Sequence, residues 1–228
     1  MDQERIFIVF DTETTGKVVK SGSVLKTPTS ILNRGSEVLQ IGGIVLNNNM
    51  VPIKMFCHCC DTVIADSDSS AREVHNIDIK EIRRYVCGQF LPEIMTRYLP
   101  EFFYNNVCFI GYNVMFDMTM IAQSLANSPI PWTYKPIRTS IVPRKGRWCV
   151  DVAEYVKTVN GYRRLSSFEK DLTQDRRAFI NMWESRINIE TNCVEVLKND
   201  WNRAHNAFFD SVNTYLLWGD RIWKKKVL

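Results

Sequence analysis

The chain has 228 residues, 45% hydrophobic and 24% charged, with a formal net charge of +4, a composition that fits an ordinary globular domain and excludes a disordered chain. No stretch approaches the roughly 20 apolar residues of a membrane span, and the start, Met1-Asp2-Gln3-Glu4-Arg5, lacks the charged-then-apolar profile of a secretory signal. Seven cysteines without regular spacing fit free thiols in a reducing compartment rather than a disulfide scaffold, so the expectation is one intracellular domain over residues 1–228, cytoplasmic or nuclear, with no membrane association.

Residues 6–10, Ile-Phe-Ile-Val-Phe, are too short a run for a helix and predict a central strand buried on both faces. The strand ends in Asp-Thr-Glu-Thr-Thr-Gly at 11–16. The Ser, Thr, Lys and Gly of 17–36 predict a long surface loop. Val38 to Leu46 and Val51 to Cys57, separated by Asn47-Asn48-Asn49, predict an antiparallel hairpin. Apolar residues recur at three and four from Ile79 to Phe103, broken near Gly88 and Pro92, which predicts two helices. Val107 to Tyr112 predicts another buried strand, and Met115 to Ala126 a helix that stops before Pro129. Residues 129–149, with four prolines, predict irregular structure. Two short helices are expected over Asp151–Leu172, and a last long one from Ala207 to about Trp223. Strands, a helix, a strand and then helices make an α/β fold with a mixed sheet.

Charge is unevenly spread. Residues 135–177 carry 11 basic and 5 acidic groups, and Arg138, Arg144, Lys145, Arg147, Arg163, Arg164, Arg176 and Arg177 are interleaved with Trp148 and Tyr162. Such a segment can neutralise phosphates and stack on bases, or simply be a solvated face. Lys224-Lys225-Lys226 reads the same two ways. Cys57-His58-Cys59-Cys60 has the composition of a zinc knuckle, but neighbours on an extended segment point to opposite faces, so buried thiols on a strand are expected.

Three clusters carry the residues of a reaction centre. Asp11 and Glu13, at i and i+2 where a strand ends, project their carboxylates from the same face. Two adjacent anions need a cation, and strand ends are where α/β sheets keep their binding sites. Asp117 follows the strand at 107–112, and if Asn113 opens the helix both residues face the strand end. His205 and Asp210 are five apart, about 500° on a continuous helix. They diverge if both are helical and converge if His205 lies in the preceding loop. Each cluster also has an ordinary explanation: a solvated turn, a helix-dipole partner, a capping histidine.

Taken together, Phe10-Asp11-Thr12-Glu13-Thr14-Thr15-Gly16, Gln40-Ile41-Gly42, Gly111-Tyr112-Asn113 with Asp117, and His205-x4-Asp210 resemble the DEDDh 3′-5′ exonucleases. Weaker echoes are Val74-His75-Asn76-Ile77, Asp151 and Leu165. Tyr112 stands where many members have His. The resemblance implies a ribonuclease H-like mixed five-stranded sheet flanked by helices, with surface insertions near 17–36 and 129–149. It implies metal ligation by Asp11, Glu13, Asp117 and Asp210, two Mg²⁺ or Mn²⁺ ions, and His205 as general base. It further implies substrate contacts from Thr14, Thr15 and Asn113, a single-stranded or 3′-ended nucleic acid as partner, and nucleoside 5′-monophosphates as products; a homodimer is an option, since several members are dimers. The rival readings are an inactive nucleic-acid-binding module of the same fold, a haloacid dehalogenase-type phosphatase and a P-loop. The second position of the Asp-x-Asp-x-Thr phosphatase motif is Glu13 here, and Lys17 is followed by Val18, which cannot ligate a P-loop's magnesium.

Overall fold

The apolar run at the start opens a strand that continues through the acidic motif. In the computed structural model, which describes residues 5–17, 36–86, 88–130, 149–156, 164–187, 189–192 and 205–219, β1 spans Ile6–Thr14. Ile8, Val9 and Phe10 are wholly buried. Ile8 and Phe10 enter one core and Val9 the other. Continued alternation puts Asp11 and Glu13 on the side of Val9, and Thr12 on the side of Phe10.

β2 (Val38–Leu46) runs antiparallel to β1, and β3 (Pro52–Cys59) antiparallel to β2. Their connection is the expected Asn turn, where the side chain of Asn47 accepts the N–H groups of Asn49 and Val51, both at 3.0 Å. β4 (Val107–Gly111) lies parallel to β1 on its other side. β5 (Cys149–Asp151) and β6 (Ile189–Thr191) pair in parallel with β4 and β3. The sheet is therefore mixed and six-stranded, in the order β5-β4-β1-β2-β3-β6. The sixth strand corrects the expectation of five: β6 is three residues at the sheet edge, too short to show alternation.

The helices are α1 (Ser69–His75), α2 (Ile79–Val86), α3 (Leu91–Tyr98), α4 (Val114–Asn127), α5 (Val152–Tyr155), α6 (Glu169–Glu184) and α7 (Ala207–Trp218). Single 3₁₀ turns lie at Pro100–Phe103 and Leu165–Phe168. Leu91, Ile94 and Met95 of α3 and Met118 and Ile121 of α4 cover one face of the sheet, with Phe102 edge-on to Phe10 at 5.4 Å. Phe179 and Ile180 of α6 and Phe208, Phe209 and Val212 of α7 cover the other.

Several expectations change. Of the two short helices expected over 151–172, the described residues show α5 with four residues and α6, which begins at Glu169 and continues for 16 residues to Glu184. The continuation is masked in the sequence by the polar residues between Leu172 and Phe179. α1 was not expected, because His75 is its only buried residue. Residues 18–35 and 131–148, most of the two expected insertions, lie outside the described residues, as do 220–228, into which the last helix was expected to run as far as about Trp223; Cys149, expected to be irregular, opens β5. Cys57 and Cys59 face the α6–α7 core and Cys60 the α3–α4 core, while His58 stacks on Tyr98 at 4.8 Å. This is the buried-thiol arrangement and not a zinc knuckle. No helix among the described residues is long and apolar enough to cross a membrane.

Candidate metal centre

The site begins where β1 outruns its neighbour. β1 and β4 pair from Ile6↔Val107 to Val9↔Ile110, and beyond Val9 no strand among the described residues pairs with the β4-facing edge of β1. Asp117 supplies the missing acceptor: its Oδ1 takes the N–H of Thr12 at 3.1 Å and the hydroxyl of Thr12 at 2.7 Å. Backbone groups at such a place must be satisfied by something other than the ladder. A turn at the end of β4 delivers Asp117. Asn113 caps α4 in the left-handed conformation (φ 65°, ψ 43°), which Asn tolerates better than most residues. Its N–H donates to Oδ1 of Asp151 at 2.8 Å.

On the Val9 side of the sheet, α7 brings in the other half. Gly42 lies opposite Asp11 in β2, and a Cβ there would sit 2.2 Å from the backbone N of Phe208. Only glycine lets the first turn of α7 approach so closely. Oε1 of the buried Gln40 accepts the N–H of Ala207 at 2.9 Å, and Asn206 caps the helix by accepting from Phe208 N–H at 3.1 Å. His205 precedes the cap with φ 62°, and Asp210 is in the first turn of α7. The condition for convergence is met: Glu13, His205 and Asp210 each offer one ligand atom, all within 4.8 Å of one another.

These groups are brought together at an electrostatic cost. Burial raises the carboxyl of Asp11 well above the ordinary range, and the charges of Asp117, Asp210 and Glu13 raise it further. Glu13 is raised in the same way by burial and by Asp210 and Asp117. Burial pushes Asp117 up to about 7, with Asp151 adding to the rise and the two bonds from Thr12 opposing it. Buried carboxylates that raise one another's pKa, gathered at one spot, offer the oxygen donors that a hard divalent cation takes.

The remaining residues singled out in the sequence fall as follows. Thr14 and Thr15 are buried: the hydroxyl of Thr14 donates to Gly16 O at 2.7 Å, and that of Thr15 accepts the N–H of Glu37 at 2.8 Å. Asn113 is exposed at the mouth of the turn. Arg176 is 3% exposed with its guanidinium 5.2 Å from the ring of Phe209, so it belongs to the core and is removed from the basic surface. Arg164 and Arg177 are exposed. Arg138, Arg144, Lys145, Arg147, Trp148, Tyr162, Arg163 and Lys224–Lys226 lie outside the described residues. Gln40 and Gly42 are the motif residues whose task, docking α7, the sequence does not disclose. Thr12, His75 and Asp151 also come to the site. Nδ1 of the buried His75 accepts the N–H of Ile77 at 2.9 Å; burial lowers its pKa, with the backbone of Thr14 opposing and the charges of His205 and Arg72 adding to the drop.

No protein-family model and no curated protein matches the chain. Among solved structures, it is similar to E. coli exonuclease I in complex with a dA16 oligonucleotide, at 16% identity and a TM-score of 0.55, covering 96% of this chain and 42% of that one. The zinc-bound form of the E. coli exonuclease I–ssDNA complex gives 16% identity and a TM-score of 0.54, with 99% and 42% covered. Exonuclease I from Methylocaldum szegediense gives 20% identity and a TM-score of 0.55, with 96% and 41% covered. The chain thus spans 41–42% of the length of these proteins. At this identity the likeness establishes the fold, a ribonuclease H-like α/β domain with its mixed sheet between two helical layers.

Proposed function

We propose that this chain is a metal-dependent 3′-to-5′ exonuclease of the DEDDh family, releasing nucleoside 5′-monophosphates from the 3′ end of a single-stranded nucleic acid. One observation carries the reading: Asp11 and Glu13 from β1, Asp117 from α4, Asp210 from the first turn of α7 and His205 from just before its cap meet at one strand end, where burial penalises the charge of Asp11, Glu13 and Asp117. The likeness to exonuclease I structures solved with dA16 and dT13 oligonucleotides supports single-stranded DNA as a substrate.

In this reading Asp11, Glu13, Asp117 and Asp210 would hold two Mg²⁺ or Mn²⁺ ions. When bound, the ions supply Lewis-acid activation of the attacking water and charge stabilisation of the departing 3′ oxygen. The chain's own residues do the rest. His205, turned toward Glu13 and Asp210 by its left-handed backbone, accepts the proton of the attacking water, a role worth about 10²- to 10⁴-fold in rate. Thr12 fixes one oxygen of Asp117 through two hydrogen bonds. Thr14, Thr15 and Asn113 border the place where the terminal nucleotide would lie.

The test is degradation of matched 3′- and 5′-labelled DNA and RNA oligonucleotides with Mg²⁺, Mn²⁺ or EDTA. Mononucleotide release from the 3′ end that needs a divalent cation and vanishes in Asp11→Ala and Asp210→Ala is the expected result. Binding without cation-dependent cleavage would leave the chain a nucleic-acid-binding module and refute the reading.

A further inference from the structure

Asp117 reaches the site through a turn that the backbone does not favour. A non-glycine residue in the left-handed region costs on the order of 1 kcal/mol and persists where its surroundings hold it. At Asn113 the holding group is visible. Gly111 and Asp151 are register partners at the ends of β4 and β5, and from there one oxygen of Asp151, Oδ1, accepts two N–H groups: that of Asn113 at 2.8 Å and that of Ala153 at 3.0 Å. The second bond caps α5. The first ties the strained turn to the neighbouring strand, immediately before α4 begins. Asn113 O then accepts the N–H of Phe116 at 2.8 Å, and Asp117 follows with its carboxylate on Thr12.

We propose that Asp151 is a positioning residue for the metal centre: by pinning Asn113 in its left-handed turn it sets the start of α4 and so the place at which Asp117 presents its oxygens. The inference rests on the metal-dependent reading above. It separates two tasks of one carboxylate, since capping α5 is a local structural matter whereas the bond to Asn113 reaches the ligand. The outer partners of metal ligands commonly matter at the level of about 10- to 100-fold in affinity. The requirement at Asp151 is for an acceptor oxygen, not for a charge.

The experiment is Mn²⁺ titration followed by the electron paramagnetic resonance of the free ion, on the full chain and without nucleic acid. Asp151→Ala is expected to weaken Mn²⁺ binding about 10- to 100-fold, and Asp151→Asn, which keeps a carbonyl oxygen for Asn113, to stay within about threefold of the parent. Adding Asn113→Gly to Asp151→Ala is expected to recover most of the affinity, because glycine adopts the left-handed turn without being held. A cap on α5 alone would not respond to that second change. Parent-like binding by Asp151→Ala, or an Asn variant as weak as the Ala variant, overturns the proposal. If the Ala variant does not fold, Asp151→Asn decides alone: a loss of tenfold or more refutes the acceptor role. Should the parent take up no Mn²⁺, or take it up equally after Asp11→Ala and Asp210→Ala, the metal reading itself fails and the inference falls with it.

Discussion

Replacing Asp117 with asparagine should stabilise the protein in the absence of divalent cations while disabling the site. An aspartate ordinarily titrates near 3.8, and in the folded chain Asp117 is pushed up to about 7, chiefly by burial. A carboxyl raised by folding leaves stability intact below its unfolded value and removes it as pH climbs through the folded value. The loss therefore sets in near pH 4, grows to pH 7 and is complete above it. At about 1.4 kcal/mol per pH unit, the gap is about 4 kcal/mol. Asparagine keeps an oxygen for the N–H and hydroxyl of Thr12 and carries no charge, and it also relieves Asp11 and Glu13, both raised by Asp117. In EDTA at pH 8 the gain corresponds to a rise in Tm of about 8–16 °C, at about 2–4 °C per kcal/mol for a chain of this size. Thermal melts of parent and Asp117→Asn from pH 4 to 8, with EDTA and with saturating Mg²⁺, make the measurement. The gain should shrink toward zero near pH 4, and Mg²⁺ should raise the Tm of the parent more than that of the variant. A gain that does not grow with pH, or a variant less stable at pH 8, would refute the account of Asp117 as a charge held against its burial.

Other expectations follow from the same contacts. Gly42→Ala puts a methyl group against the backbone of Phe208, so it should destabilise the fold by about 1–3 kcal/mol in urea melts and abolish Mn²⁺ uptake by displacing α7. Gln40→Leu leaves the N–H of Ala207 buried without an acceptor and should cost about 1–3 kcal/mol. His205→Ala should lose about 10²- to 10⁴-fold in turnover while the circular dichroism spectrum is unchanged; parent-like turnover at every pH would remove it from the mechanism. His58, wholly buried, has its pKa lowered from 6.5 to about 4 by burial and then by Lys54. Its stabilising neutral state is complete above pH 6.5 and lost as the pH falls toward 4. His58→Phe should therefore gain about 2–3 kcal/mol over the parent at pH 4.5 relative to pH 7.5, read by chemical denaturation at the two values.

What could be read in advance depended on where the information lies. Ile6–Phe10, the hairpin around Asn47 and the run at Val107 announce themselves because a buried strand leaves its mark on every residue it contains. Asp11 and Glu13 could be placed on one face by period alone, and His205 and Asp210 could be joined only by putting the histidine before the helix, as the structure does. Other features depend on partners distant in sequence. Nothing local marks Gln40 as the acceptor for Ala207, Gly42 as the seat of α7, or Thr12 as the donor to Asp117, since each acquires its role from a segment 105 to 167 residues away in the hydrogen-bonded cases. Arg176 misleads for the same reason: an arginine in a basic stretch reads as surface until Phe209 is seen beneath it. β6 and α1 escape because three residues and a polar turn offer too little periodicity.

α7 has a bearing on how the protein comes into being. It seats against both central strands and brings Asp210 to a carboxylate pair laid down about 200 residues earlier, during a synthesis that proceeds from the N-terminus. Until α7 emerges and docks, the sheet face it shares with α6 is covered only in part, and the carboxylates of β1 and α4 lack Asp210 beside them. Docking of α7 therefore covers the rest of that face and assembles the acidic cluster in a single event.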